Sequence, residues 1–331
     1  MYTFEDMLGQ EQLKAHMRNA LARDKVGHAY IISGEKGSGK DFASLIFAAG
    51  INCSGEGGRP CGKCRSCRQT FDGNHPDVRY LIPEKENSTN ISVDMIRHQV
   101  NEDVVIKPYE GRKKIYIIRN AENMNERAQN ALLKTIEEPP EYVVILLVTA
   151  NPENLIDTIH SRCTGLKTGQ VDRERLKRFL QLKAGIPDYM AEVCAAFSKG
   201  NVGLALHLAG SDGFEGLRAR MLELTKNIKD MSILDIRQEA AGLKECKAEI
   251  NDFLDLLLVW YRDVLVVKSC GFSVPITFED QKSLIKRMAE DSSYEGLKKI
   301  TDAIEEAKGR LFANVNYELT LELLLMTLKE N

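Results

Sequence analysis

The stretch Gly34-Glu35-Lys36-Gly37-Ser38-Gly39-Lys40-Asp41 constrains the fold more than any other part of this chain. It follows the apolar run Ala29-Tyr30-Ile31-Ile32 and opens a helical pattern from Phe42 to Ala49. Strand, glycine-rich turn and helix, in that order, are what a phosphate-binding loop requires. Glycines let backbone N–H groups close around phosphates, the helix N-terminus adds positive potential, and a lysine at the place of Lys40 reaches the outer phosphates. The eighth position ordinarily carries Ser or Thr, whose hydroxyl ligates Mg²⁺. Here it is Asp41, a carboxylate that can hold a metal but repels the phosphates beside it.

A second nucleotide motif is altered more deeply. Lys113-Lys114-Ile115-Tyr116-Ile117-Ile118 reads as a buried strand. P-loop ATPases place an acid at the end of such a strand to hold the Mg²⁺ shell. This one ends in Arg119-Asn120, a cation and an amide, and both oppose hydrolysis. Losing one preorganised electrostatic group typically costs about 10²–10³ in rate. Glu122 is near in sequence but out of register. The expectation is a loop that can hold ATP or ADP through Gly34, Gly37, Ser38, Gly39, Lys40 and Asp41 and does not turn it over.

At 331 residues, 43% of them apolar, the chain has material for about two or three domains. A net charge of -3 excludes an overall basic field, so any DNA contact is local or made by partners. The N-terminal MYTFEDMLGQ lacks the basic stretch and apolar core of a signal peptide. The apolar region from Phe253 to Val267 is interrupted by Asp255, Arg262 and Asp263 and reads as a packed amphipathic helix. No membrane span is predicted, and a cytoplasmic location is expected.

Four of the eight cysteines cluster as Cys53, Cys61, Cys64 and Cys67. The C-x2-C spacing sets two thiolates on one tight turn, at a separation suited to tetrahedral zinc. Gly55, Gly57, Gly58, Pro60 and Gly62 supply turns, and Lys63, Arg65 and Arg68 offset part of the negative charge. Four thiolates leave no open coordination position, so a structural Zn²⁺ is expected, with His75 as the fallback ligand. The alternative is a set of ordinary reduced thiols or one redox pair. Cys163, Cys194, Cys246 and Cys270 lie far apart, and burial as small apolar residues is expected for them.

Residues 1–165 alternate candidate strands (29–33, 78–82, 115–118 and 143–149) with helical segments, which predicts a parallel sheet covered on both faces. Glu126 to Glu138 has apolar residues at helical spacing, stopped by Pro139-Pro140. Residues 172–208 read as short helices broken near Gly185-Ile186-Pro187 and Gly200. From about 212 onward only helical patterns remain, over 213–229, 232–245, 247–269, 278–291, 293–310 and 316–329. The basic run Arg112-Lys113-Lys114 reads as a solvated strand edge.

Taken together, these motifs resemble the clamp-loader branch of the AAA+ ATPases, the assemblies that serve bacterial DNA polymerase III. The resemblance starts at Phe4 with Leu8-Gly9-Gln10 and continues through His28-Ala29-Tyr30, the phosphate loop, the cysteine module and Asn74-His75-Pro76-Asp77. Its most specific stretches are Asn130-Ala131-Leu132-Leu133-Lys134-Thr135-Ile136-Glu137-Glu138-Pro139-Pro140 and Ser161-Arg162-Cys163. Asn314-Val315-Asn316 with Leu319 to Leu324 is similar to the family's C-terminal region.

The resemblance implies an α/β AAA+ P-loop domain over 1–165 with the zinc module at 53–67. It further implies a helical lid over 166–210 and an all-helical collar over 211–331 through which subunits oligomerise. Its partners would be the other loader subunits (the gamma/tau motor and delta), the sliding clamp, and primer-template DNA through the assembled complex. Arg162 would be an arginine finger acting in trans on a neighbour's ATP site, and Thr149 and Asn151 would stand where the family senses a γ-phosphate. Lys134 would be a solvated base, or an inter-subunit or DNA-facing contact. Motor subunits keep Thr at the place of Asp41, acids at the place of Arg119-Asn120, and a lid arginine where this chain has Gly203. A retained finger beside a degraded site resembles the stator-like members, which belong to a DNA polymerase holoenzyme without hydrolysing ATP themselves. Two other readings stay open: an ATP-hydrolysing motor subunit with Asp41 and Glu122 taking over metal duties, and a zinc-dependent DNA-binding module.

Overall fold

Alternation along the central strands sets the layering. In the computed structural model, which describes residues 2–81, 90–313 and 315–331, five strands form one parallel sheet. They are β1 (Ala29–Ser33), β2 (Val78–Tyr80), β3 (Lys114–Arg119), β4 (Val143–Thr149) and β5 (Thr164–Lys167), ordered β2-β3-β4-β1-β5. Side chains alternate between faces with period two. Ile32, Ile115, Ile117, Val144, Leu146 and Val148 thus join one buried cluster, while Ile31, Tyr116, Ile118, Val143, Ile145 and Leu147 join the other. All seven residues of β4 are buried, as a strand covered on both faces demands. The predicted strand 78–82 is shorter than expected, and its last residue, Ile82, lies outside the described residues. β5 has no apolar run; its strand state comes from pairing with β1.

Helices α1 (Glu11–Ala22) and α2 (Lys40–Ile51) cover the first face. The short α3 (Arg65–Phe71) and α4 (Val93–Ile96) precede α5 (Glu126–Glu137), which packs on the second face with α6 (Asp157–His160). Asn125 caps α5, its Oδ1 accepting from Ala128 N–H at 2.9 Å, and the prolines end it as the pattern predicts.

By its contacts the chain divides into two compact units. One holds residues up to Arg175 together with Asn201–Gly203, and the other holds Leu176–Gly200 and Leu204–Asn331. The second is helical among its described residues. It comprises most of α7 (Arg173–Ala184) and of α9 (Val202–Ala209), with α8 (Asp188–Phe197), α10 (Asp212–Asn227), α11 (Ile233–Gly242), α12 (Ile250–Cys270), α13 (Lys282–Asp291), α14 (Tyr294–Phe312) and α15 (Tyr317–Glu330). Asn314 lies outside the described residues. Trp260, Tyr261, Phe253 and Phe278 fill its interior, and the fully buried Asp263 accepts from Thr277 and Phe278 N–H. No helix among the described residues is long and apolar enough to cross a membrane.

Two polar anchors hold the loop leading into β3. Asp77, buried, accepts from Tyr109, Glu110 and Gly111 N–H at 2.6, 2.8 and 2.6 Å. Lys114, expected at a solvated edge, is instead buried: its ammonium meets the Asp103 carboxylate at 2.8 Å and the carbonyls of Asp103 and Ile106 at 2.7 and 3.2 Å. Burial pushes the Asp77 carboxyl up, but the three N–H donors outweigh it and hold it below the usual carboxylate range. A folded pKa below the unfolded value of about 3.9 gives stability that is fully present above that value and lost as pH falls through the folded pKa. Asp77→Ala is expected to lower unfolding free energy by about 2–4 kcal/mol at pH 7. Urea denaturation of wild type and variant at pH 7 and pH 3 checks both statements; a loss that is the same at both pH values contradicts the ionic part.

Candidate functional site

The phosphate loop leaves β1 at the carboxyl edge of the sheet, between β4 and β5, where α/β folds bind ligands. Gly39, in left-handed conformation (φ 85°), precedes α2 as its N-cap. Lys40 is buried, and its ammonium donates to the Glu35 carbonyl at 3.3 Å. Thr168 braces the loop from the end of β5, its hydroxyl oxygen 3.1 Å from Ser33 O and 2.8 Å from Ser38 Oγ. A Cβ on Gly34 would fall 1.8 Å from Thr168 Oγ1, so only glycine fits there.

Residues 201–203, which pack with this unit, press on the same loop. Asn201 Nδ2 donates to Lys36 O at 2.7 Å and Gly203 N–H to Gly37 O at 2.8 Å. A Cβ on Gly203 would approach Gly37 Cα and O to 2.7 Å. Gly203 is therefore more than a lost arginine: the close approach leaves no room for a side chain.

Asp41 and Arg119, read separately in the sequence, meet in the structure. Arg119 Nε lies 3.2 Å from Asp41 Oδ1, and its guanidinium covers the Tyr80 ring at 4.6 Å from the centroid. Glu122 is turned elsewhere, accepting from Ala150 N–H at 3.1 Å through Oε1. Thr149 and Asn151 close the end of β4: Thr149 O accepts from Gly34 N–H at 3.2 Å, and its Oγ1 accepts from Asn151 N–H at 3.1 Å. The opposite charges at the two altered motifs were the signal for the Asp41–Arg119 pair.

Arg162 follows α6 on the turn into β5. Its Nη2 lies 3.0 Å from Glu137 Oε1 at the end of α5, and Nη1 donates to Thr158 O at 3.1 Å and Ser161 Oγ at 3.0 Å. Its side chain is 39% exposed and that of Glu137 45%. An exposed pair of this kind is worth about 0–1 kcal/mol. Lys134, on the same helix, is exposed.

The four clustered cysteines converge. Their sulfurs lie within 4.8 Å of one another, and Cys53 Sγ is 4.0 Å from Cys64 Sγ. Tetrahedral zinc with Zn–S bonds of 2.3 Å needs sulfur separations of about 3.8 Å, so the set fits the ion. Backbone N–H groups of Cys61, Cys64 and Cys67 point at the sulfurs of Cys53, Cys61 and Cys64 at 3.4, 3.3 and 3.4 Å, a donor arrangement suited to thiolates. Burial opposes ionisation of Cys64, but N–H donors from Cys67 and Ser54 outweigh it and bring its pKa down to about 6. His75 is not in the cluster; its Nε2 is 3.0 Å from Ser66 Oγ, and its Nδ1 accepts from Asp77 N–H at 3.1 Å. Burial pushes the half-buried Cys163 thiol up to about 12, which makes it inert. Cys194 is buried as expected, Cys270 is exposed against expectation, and the side chain of Cys246 lies outside the described residues.

A parallel sheet with a phosphate loop at β1, a strand order of β2-β3-β4-β1-β5 and an arginine-bearing turn before the edge strand define a P-loop protein of the AAA+ class. Residues 9–171 match the family described as DNA polymerase III, delta subunit, and residues 218–330 match DNA polymerase III, delta subunit, C terminal. The chain is 30% identical over 324 residues to DNA polymerase III subunit delta' of Bacillus subtilis (strain 168), covering 97% of this chain and 96% of that one. It is 34% identical over 180 residues to DNA polymerase III subunit tau of Escherichia coli (strain K12), which is 54% of this chain and 27% of that longer protein. The Bacillus subtilis tau subunit is 29% identical over 288 residues, 80% of this chain and 50% of that one. The chain belongs to the DNA polymerase III delta-subunit family and is a clamp-loader subunit homologous to delta'.

Proposed function

We propose that this subunit works for its neighbours rather than for itself: its own nucleotide site is catalytically silent, and Arg162 completes the ATP site of an adjacent motor subunit. The observation that carries the reading is the Asp41–Arg119 ion pair. A catalytic site needs a Mg²⁺ ligand at one of these positions and an acid at the other; here the two groups neutralise each other. Arg162 stands apart from that change, on a turn that leaves its guanidinium partly exposed. A planar, permanently charged fork suits the charge developing on a transferring γ-phosphoryl.

The architecture we propose has three parts: an AAA+ domain over 1–165, a lid over 166–210 and a collar over 211–331. Exposed apolar side chains on α11 and α15, namely Ile233, Leu234, Leu319 and Leu323, give the collar a surface for neighbouring subunits. Cys53, Cys61, Cys64 and Cys67 would hold a structural zinc, which supplies a folding constraint and no open coordination position. Primer-template DNA and the sliding clamp are partners of the assembled loader. A cytoplasmic site of action fits this role. The motor alternative is disfavoured because Asp41 pairs with Arg119, a cation at the place where that class keeps an acid.

The purified chain tests the silent-site half of the proposal. With saturating Mg²⁺ and ATP it is expected to hydrolyse no faster than buffer. Turnover that disappears in Lys40→Ala would return the chain to the motor class.

A further inference from the structure

Mg²⁺ is the ion a P-loop fold implies, and the residues around this loop do not fit it. Mg²⁺ demands near-ideal octahedral oxygen ligation and dehydrates reluctantly. Of the loop's two carboxylates, the one at the metal-ligand position, Asp41, is already 3.2 Å from the Arg119 guanidinium, and the residue after Arg119 in the chain is Asn120, an amide and not an acid. Glu122, three residues beyond Arg119, gives one carboxylate oxygen to the Ala150 N–H and buries the other without a partner. Arg119 touches Asp41 on one side and the Tyr80 ring on the other, with about half of its side chain exposed. A permanent monovalent cation therefore stands on the side of the loop where the metal would be, and it cancels the carboxylate that would otherwise face a phosphate.

We propose that this loop takes nucleotide polyphosphates as free anions, with Lys40 and Arg119 as its two cations, and that Mg²⁺ works against binding. Metal-free ADP or ATP carries more negative charge than its Mg²⁺ complex, and with Asp41 offset by Arg119 the charge of Lys40 leaves the site net positive, which favours the more negative form. A guanidinium presents five donors, more than its contact with one carboxylate uses. Lys40 spends only a 3.3 Å bond on the Glu35 carbonyl, which phosphate oxygens readily replace.

Calorimetric titration of the full chain with ADP and with ATP tests this. One titration uses buffer freed of divalent cations by resin, without a chelator that would strip cysteine-bound metal; the other adds millimolar Mg²⁺. Binding is expected in the metal-free buffer, about threefold or more tighter than with Mg²⁺. Tightening by Mg²⁺ of about tenfold, equivalent to about 1.4 kcal/mol, overturns the proposal, and so does absence of binding in both buffers. Arg119→Ala, with an unchanged melting temperature as the fold control, is expected to weaken metal-free binding about tenfold; unchanged binding overturns the role of Arg119. Joint replacement Asp41→Thr and Arg119→Asp is expected to reverse the metal preference. Arg162→Ala is expected to bind as wild type, so failure here and failure of the trans-finger reading are separate results.

Discussion

Arg162→Ala is expected to reduce clamp- and DNA-stimulated ATP hydrolysis by the reconstituted loader about 10³-fold or more at the site it serves. Arginine fingers are worth about 10³–10⁵ in rate, or about 4–7 kcal/mol of barrier. In the free subunit the same guanidinium rests on Glu137 at 3.0 Å, with Thr158 O and Ser161 Oγ as further partners. That half-exposed pair contributes about 0–1 kcal/mol, so a transition state that Arg162 serves is expected to win the competition for it by a wide margin. Arg162→Lys keeps the charge and loses the bidentate fork, and is expected to recover only part of the rate. Steady-state hydrolysis with assembly checked by gel filtration reads the effect. The loss belongs in kcat rather than in nucleotide occupancy, because the finger acts on charge that develops during transfer. An Arg162→Ala loader that assembles and turns over at the wild-type rate would leave Arg162 as nothing more than the surface partner of Glu137.

Stripping metal from the four-cysteine cluster is expected to lower the melting temperature by about 8–16 °C. An ion present at a thousand times its Kd stabilises the fold by about 4.1 kcal/mol, and a domain of 150–250 residues shifts by about 2–4 °C per kcal/mol. Cys53 follows α2, and Cys64 caps α3 and then turns the chain toward Cys67. Loss of the ion leaves four sulfurs packed within 4.8 Å, two of them, Cys53 and Cys67, with pKa values already raised by burial. Because the ligands must be deprotonated, acid is expected to release the metal and chelation to be slower at neutral pH. Differential scanning calorimetry with zinc quantified before and after chelation gives the answer. Protein that purifies without zinc and melts unchanged by chelator would return these cysteines to ordinary thiols.

Much of this architecture was legible because its signals are local. β4 reads as seven consecutive apolar or β-branched residues, α5 as an apolar stripe between Asn125 and two prolines, and the cysteines as a spacing. What stayed hidden depends on tertiary pairing. β5 (Thr-Gly-Leu-Lys) has neither an apolar run nor alternation, and is a strand only because β1 offers its edge. Lys114 sits in a basic run that reads as solvated, yet Asp103 and two carbonyls draw it into the interior. At the nucleotide loop, Asp41 and Arg119 were each visible as a departure, but their compensation appears only where β3 ends beside α2. Gly203 likewise reads as an absent arginine until the Gly37 backbone, 2.7 Å from its would-be Cβ, shows that no side chain fits.

A subunit that is silent alone and required in company shows itself by add-back. ATP hydrolysis is measured for the purified chain, for a loader assembled without it, and for that loader after the chain is restored. A background rate is expected for the chain alone, and a rate in the restored complex well above the sum of the separate parts. A chain that hydrolyses ATP by itself, at a rate accounting for the whole increase, would contradict that expectation.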